Sequence, residues 1–112
     1  MSEKDRGNLE SIVDSCSKIE TFVQDIWDAD AFFADEKTFD AVLMNFIVIS
    51  EAVARLPEEL REQAAHIPWP KIKGLRNIVA HNYFGVDAEE IWQIIKDSLP
   101  ELKAAIRQLL VR

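Results

Sequence analysis

The chain has 112 residues, the size of one domain, and a 48% hydrophobic composition with only three glycines and four prolines, which excludes a disordered chain and disfavours a turn-rich sheet protein. A single cysteine, Cys16, excludes an internal disulfide, and no Cys/His cluster has the spacing of a zinc site. The net charge of −7 excludes a protein that coats nucleic acid with its whole surface, because such binding is driven by Lys and Arg neutralising phosphates.

The N-terminus, MSEKDRGNLE, is charged where a signal peptide needs an apolar stretch, and the most apolar run, Ala41 to Ile49, is too short to span a bilayer. The expectation is a cytoplasmic protein that does not enter a membrane.

In chain order, Leu9, Ile12, Val13, Cys16, Ile19, Val23, Ile26 and Trp27 recur at spacings of three and four, the stripe of an amphipathic helix running roughly from Asn8 to Asp28. Asp35 is a suitable N-cap for a second helix ending near Leu56. Within it, AVLMNFIVISEAVARL is apolar nearly all round, broken mainly by Asn45, Ser50, Glu51 and Arg55, so it should be covered on two sides. The second cover is either another subunit, making this helix part of a homodimer interface, or the chain's own neighbouring helices.

Pro57 closes that region, and Glu58 to Ala65 reads as a short polar helix before the break at Ile67-Pro68-Trp69-Pro70. A third long helix is expected from Trp69 to about Phe84, stopped by Gly85. Asp87 and Glu90 have capping-box spacing and open a helix that buries Ile91, Ile94 and Ile95; Ser98 and Glu101 repeat that spacing around Pro100 and open the last one. No strand pattern, repeat or linker interrupts the series. The expectation is one all-α domain over residues 1–112, an antiparallel bundle of about five helices.

The chemistry gathers in the third long helix. From Ile67 to Val86 there are three cations (Lys71, Lys73 and Arg76) and no carboxylate, so the chain is a +3 island on a body of −10. In Gly74-Leu-Arg-Asn-Ile-Val-Ala-His-Asn-Tyr83, Asn77 and His81 are four apart and share a helix face, while Leu75, Val79 and Tyr83 fall on an apolar one. Histidine exchanges a proton near neutral pH, and the arginine fork fits phosphate oxygens. Together they suit cleavage of RNA, whose 2′-hydroxyl is a built-in nucleophile, with no metal or cofactor required. The competing assignments are a structural His81 bonded to a backbone carbonyl or to Asn77, and a Tyr83 that is a core aromatic. His66 reads as a surface or capping residue, and Trp27, Trp69 and Trp92 as packing residues.

The joint pattern Ile67-Pro-Trp, Gly74-Leu-Arg-Asn, His81-Asn-Tyr-Phe-Gly-Val-Asp87, Ile91-Trp92 and Leu99-Pro-Glu-Leu102, with Asp35-Glu-Lys-Thr-Phe-Asp-Ala-Val and Ile49-Ser-Glu-Ala, closely resembles the HepT-like toxins of the HEPN superfamily. The resemblance implies a homodimeric HEPN-like bundle acting as the endoribonuclease toxin of a type VII toxin–antitoxin pair. In it Arg76 and His81 match the catalytic pair, and Asn77 matches a supporting polar position. Tyr83 matches the tyrosine to which a minimal nucleotidyltransferase antitoxin adds AMP. Lys73, in the basic island, is the candidate substrate-binding cation. The alternative is a non-catalytic helical module that docks a nucleotidyltransferase or binds a nucleotide.

Overall fold

The computed structural model describes residues 1–84 and 87–112, with side chains for all of these except 82–84. The described residues form an all-α bundle without strands, extending 41 × 26 × 22 Å with a radius of gyration of 13.8 Å. Helix α1 (Glu3–Val23) begins earlier than the apolar stripe alone indicates, because the Ser2 hydroxyl accepts from the Asp5 N–H at 3.0 Å and Glu3 and Asp5 sit in the positive first turn. It also ends earlier. The chain turns after Val23, so Ile26 and Trp27 leave the helix and the short α2 (Ala29–Ala34) starts on an Asp28 cap, 2.8 Å from the Ala31 N–H. Six residues carry too little periodicity for the sequence to announce α2. Its position is fixed by Phe32, fully buried against Phe39 and Trp92 at ring centroid distances of 5.1 and 5.5 Å.

Helix α3 (Glu36–Ala54) is the centre of the molecule. Asp35 caps it as expected, accepting from the Thr38 N–H at 3.1 Å. Its residues Phe39, Val42, Phe46, Ile49 and Val53 are buried, and it packs against α1, α2, α5 and α6. The chain's own helices thus supply much of the cover its apolar circumference demands, yet Met44 is 60% exposed and Ile47 and Val48 are only half-buried. One strip of α3 therefore faces outward.

After α4 (Glu58–Glu62), Trp69 anchors the next turn: its ring is buried and its indole N–H donates to the carbonyls of Arg61 and Ala64 at 2.9 and 3.0 Å. The expected long third helix is two pieces, α5 (Trp69–Lys73) and α6 (Leu75–Phe84), broken at Gly74. The break is tied to α3: the Ser50 hydroxyl donates to the Lys73 carbonyl, at the last residue of α5. The chain is also close on itself here. A Cβ on Gly74 would meet the Pro70 carbonyl oxygen at 3.2 Å. The expected stop at Gly85 lies outside the described residues.

Asp87 caps α7 (Ala88–Gln93), accepting from the Glu90 N–H at 3.0 Å, as its spacing to Glu90 indicates. Ser98 does not repeat the arrangement. It has helical backbone angles and no capping bond, because α7 runs through a π-helical turn (Ile94–Ser98) directly into α8 (Leu99–Leu110). The Leu99 N–H reaches back to the Ile94 carbonyl, and this wider turn accommodates Pro100, whose ring would press on the preceding carbonyls of a regular helix. Leu102, Ile106 and Leu109 then close the core against α1. Among the described residues, no helix is long and apolar enough to cross a membrane.

Candidate active site

The stretch Leu75–Phe84 is helical because it continues the turn set at Gly74, whose carbonyl accepts from the N–H groups of Asn77 and Ile78 at 3.0 and 3.3 Å. Leu75 is fully buried and Ile78 and Val79 pack against the core, which holds one side of α6 against α3. The opposite side carries the polar residues. Arg76, Asn77 and His81 are all exposed, and so is Lys73 at the end of α5.

Between α3 and the α5–α6 junction lies a groove of about 300 Å³. Its polar lining comes from Ser50, Glu51, Lys73, Arg76 and Asn77, with Ala54, Pro70 and Gly74 completing the wall. Small residues keep it open. The guanidinium of Arg76 meets the Glu51 carboxylate, Nη1 to Oε1, at 2.7 Å. With side chains 62% and 39% exposed, this pair is screened by water and contributes only about 0–1 kcal/mol to stability. Its effect is on where the guanidinium sits.

The structure brings Lys73, Arg76 and Asn77 to one groove and leaves His81 outside its lining. On an ideal helix His81 stands about 40° from Asn77 but about 140° from Arg76. One subunit therefore offers the imidazole and the guanidinium on widely separated sectors of α6 rather than at one point. The backbone of Tyr83 lies in the last turn of α6, and its side chain is outside the described residues.

Glu51 lines the groove without standing among the residues that the sequence marks as functional. The available signal was the pair Ser50-Glu51 interrupting the most apolar helix at adjacent positions, one buried and bonded to Lys73, the other paired with Arg76. His66 is exposed as expected, and Trp69 and Trp92 are buried. Trp27 is not a packing residue: at 92% exposure it stands clear of the core, because α1 ends before it. Among the described residues, no group of three or more His, Cys, Asp or Glu gathers where a metal ion could be held.

The family model for HepT-like ribonucleases matches residues 12–109, from the first buried turns of α1 to the end of α8. The chain belongs to the HepT-like ribonuclease family. It is similar to a probable ribonuclease HepT of Thermococcus cleftensis, 32% identical over 97% of this chain and 98% of that protein. A protein of Caldanaerobacter subterraneus, provisionally named an RNase, is 35% identical over 94% of this chain and 93% of its own length. A longer Methanocaldococcus jannaschii protein, whose name joins a gamma-glutamylcyclotransferase to a provisional RNase, is 36% identical over 91% of this chain. The chain spans 46% of the length of that relative. No solved structure matches the chain. The family match encloses the whole of the groove and of α6.

Proposed function

We propose that the protein is a metal-independent endoribonuclease, the toxin of a type VII toxin–antitoxin pair acting in the cytoplasm. The observation that carries this reading is that Arg76, Asn77 and His81 stand exposed on one short helix beside an open groove, where a polynucleotide backbone can reach them. In the reaction, the imidazole of His81 takes the proton from a ribose 2′-hydroxyl. The 2′-oxygen bonds to phosphorus, the bond to the 5′-oxygen breaks, and the leaving oxygen receives a proton. Arg76 stabilises the charge that builds on the non-bridging oxygens, with Asn77 supporting and Lys73 holding a neighbouring phosphate. The products are a 2′,3′-cyclic phosphate and a free 5′-hydroxyl.

The angular separation of Arg76 and His81 on α6 favours a homodimer in which residues of two subunits face one cleft. The outward strip of α3 around Met44, Ile47 and Val48 is the surface we assign to that pairing. A minimal nucleotidyltransferase antitoxin then silences the enzyme by adding AMP to Tyr83, setting bulk and negative charge close to the phosphate site.

The test is direct. Purified protein is incubated with RNA in EDTA beside His81→Ala and Arg76→Ala, and product ends are mapped by mass spectrometry. Cyclic phosphate ends from the wild type and none from the variants are expected; equal cutting by all three sinks the proposal. Intact mass after production with and without a co-expressed minimal nucleotidyltransferase tests the modification.

A further inference from the structure

We propose that Glu51 is the positioning residue for Arg76, holding one edge of its guanidinium so that the other edge is presented to the phosphate in the groove. This assignment rests on the nuclease reading above. The carboxylate engages a single guanidinium nitrogen, Nη1, at 2.7 Å, and an arginine has five N–H donors in a rigid fork. Glu51 and a phosphate can therefore share the group without competing for the same hydrogens.

The arrangement is set by the fold rather than by the two side chains alone. Ser50, the residue before Glu51, is 1% exposed and fixes the carbonyl of Lys73, so adjacent residues of α3 grip the chain on both sides of Gly74. An exposed arginine left to itself samples many rotamers, and freezing them is an entropic cost that substrate binding would otherwise carry. With Glu51 in place, much of that cost is met during folding. The screened, half-exposed pair adds little to stability, which leaves orientation as its physical consequence.

A carboxylate beside the phosphate path has an opposing effect on binding, because it repels the RNA backbone. The two effects separate experimentally. On a single-stranded RNA oligonucleotide in EDTA, Glu51→Ala is expected to lower kcat by roughly tenfold or more, since misplacement of a catalytic group is costly, while KM falls as the repulsion is removed. Glu51→Gln keeps an acceptor for Nη1 without the charge. It should regain most of kcat and show the same lower KM. Melting temperatures of both variants should match the wild type, separating positioning from a folding defect.

Glu51→Ala with kcat within about twofold of the wild type, or Glu51→Gln as impaired as Glu51→Ala, overturns the assignment. A readout without RNA separates this from failure of the nuclease reading: the side-chain Nε–Hε resonance of Arg76 in nitrogen-labelled protein. It should move in Glu51→Ala and stay close to its place in Glu51→Gln, whether or not the protein cuts RNA. An Arg76 signal that Glu51→Ala leaves unmoved overturns the clamp.

Discussion

Ser50 and Lys73, 23 positions apart in the chain, are joined by a hydrogen bond from the hydroxyl of the first to the carbonyl of the second. That bond ties α3 to the end of α5, at the junction where α6, with its polar face, begins. Replacing Ser50 by alanine leaves the Lys73 carbonyl without this donor next to a buried methyl group. A loss of about 1–3 kcal/mol is expected, read as a lower denaturant midpoint with an unchanged slope.

Asp35 is a cap whose removal can be measured apart from any effect on the groove. Its carboxylate accepts from the Thr38 N–H at the start of α3, the helix against which α1, α2, α5 and α6 pack. Asp35→Ala should cost about 0.5–2 kcal/mol of unfolding free energy, and Asp35→Asn should recover most of it. A thermal melt of the three proteins checks both.

Cys16 gives the fold a signature at alkaline pH. Burial of its thiol, with the Glu20 carboxylate adding to the effect, pushes its pKa up from 9.0 to about 12. Above pH 9 the unfolded chain releases this proton and the folded chain keeps it, so the unfolded state is favoured progressively as pH rises from 9.0 towards about 12. Below pH 9 the thiol is neutral in both states and the contribution is flat. Denaturation curves of the wild type and Cys16→Ala should therefore converge as pH rises over that window. Native protein should resist a thiol reagent at pH 8 that modifies the unfolded chain at once.

Lys73 holds a phosphate as a point charge in the proposed reaction, and its loss should act on binding more than on chemistry. Lys73→Ala is expected to raise KM several-fold, leave kcat nearly unchanged, and reduce the salt dependence of RNA affinity by about one counterion. A salt titration of fluorescent RNA on the inactive His81→Ala background measures this cleanly. An unchanged slope would remove Lys73 from the phosphate path.

The readability of the sequence followed the range of the forces involved. Caps at Asp35 and Asp87 act over three residues, so their spacing told where α3 and α7 begin. The break at Gly74 coincides with a contact to Ser50 on another helix, which no local pattern near Gly74 reveals. Ser98 and Pro100 imitate a helix start, but burial of Ile94, Ile95 and Leu99 favours one continuous rod, and the π-turn absorbs the proline. At the site, the polar residues of α6 were legible because they lie on one short segment. Glu51 was not, because its meaning comes from Arg76 on a different helix.

The exposure of Trp27 sets what light the protein emits. An indole that is 92% open to solvent radiates as a hydrated fluorophore in the native state and after denaturation alike, whereas Trp69 and Trp92 pass from an apolar to an aqueous setting. The red shift that accompanies unfolding therefore belongs to those two. A blue shift in native protein, abolished by Trp27→Phe, would report a molecule settling over the corner between α1 and α2.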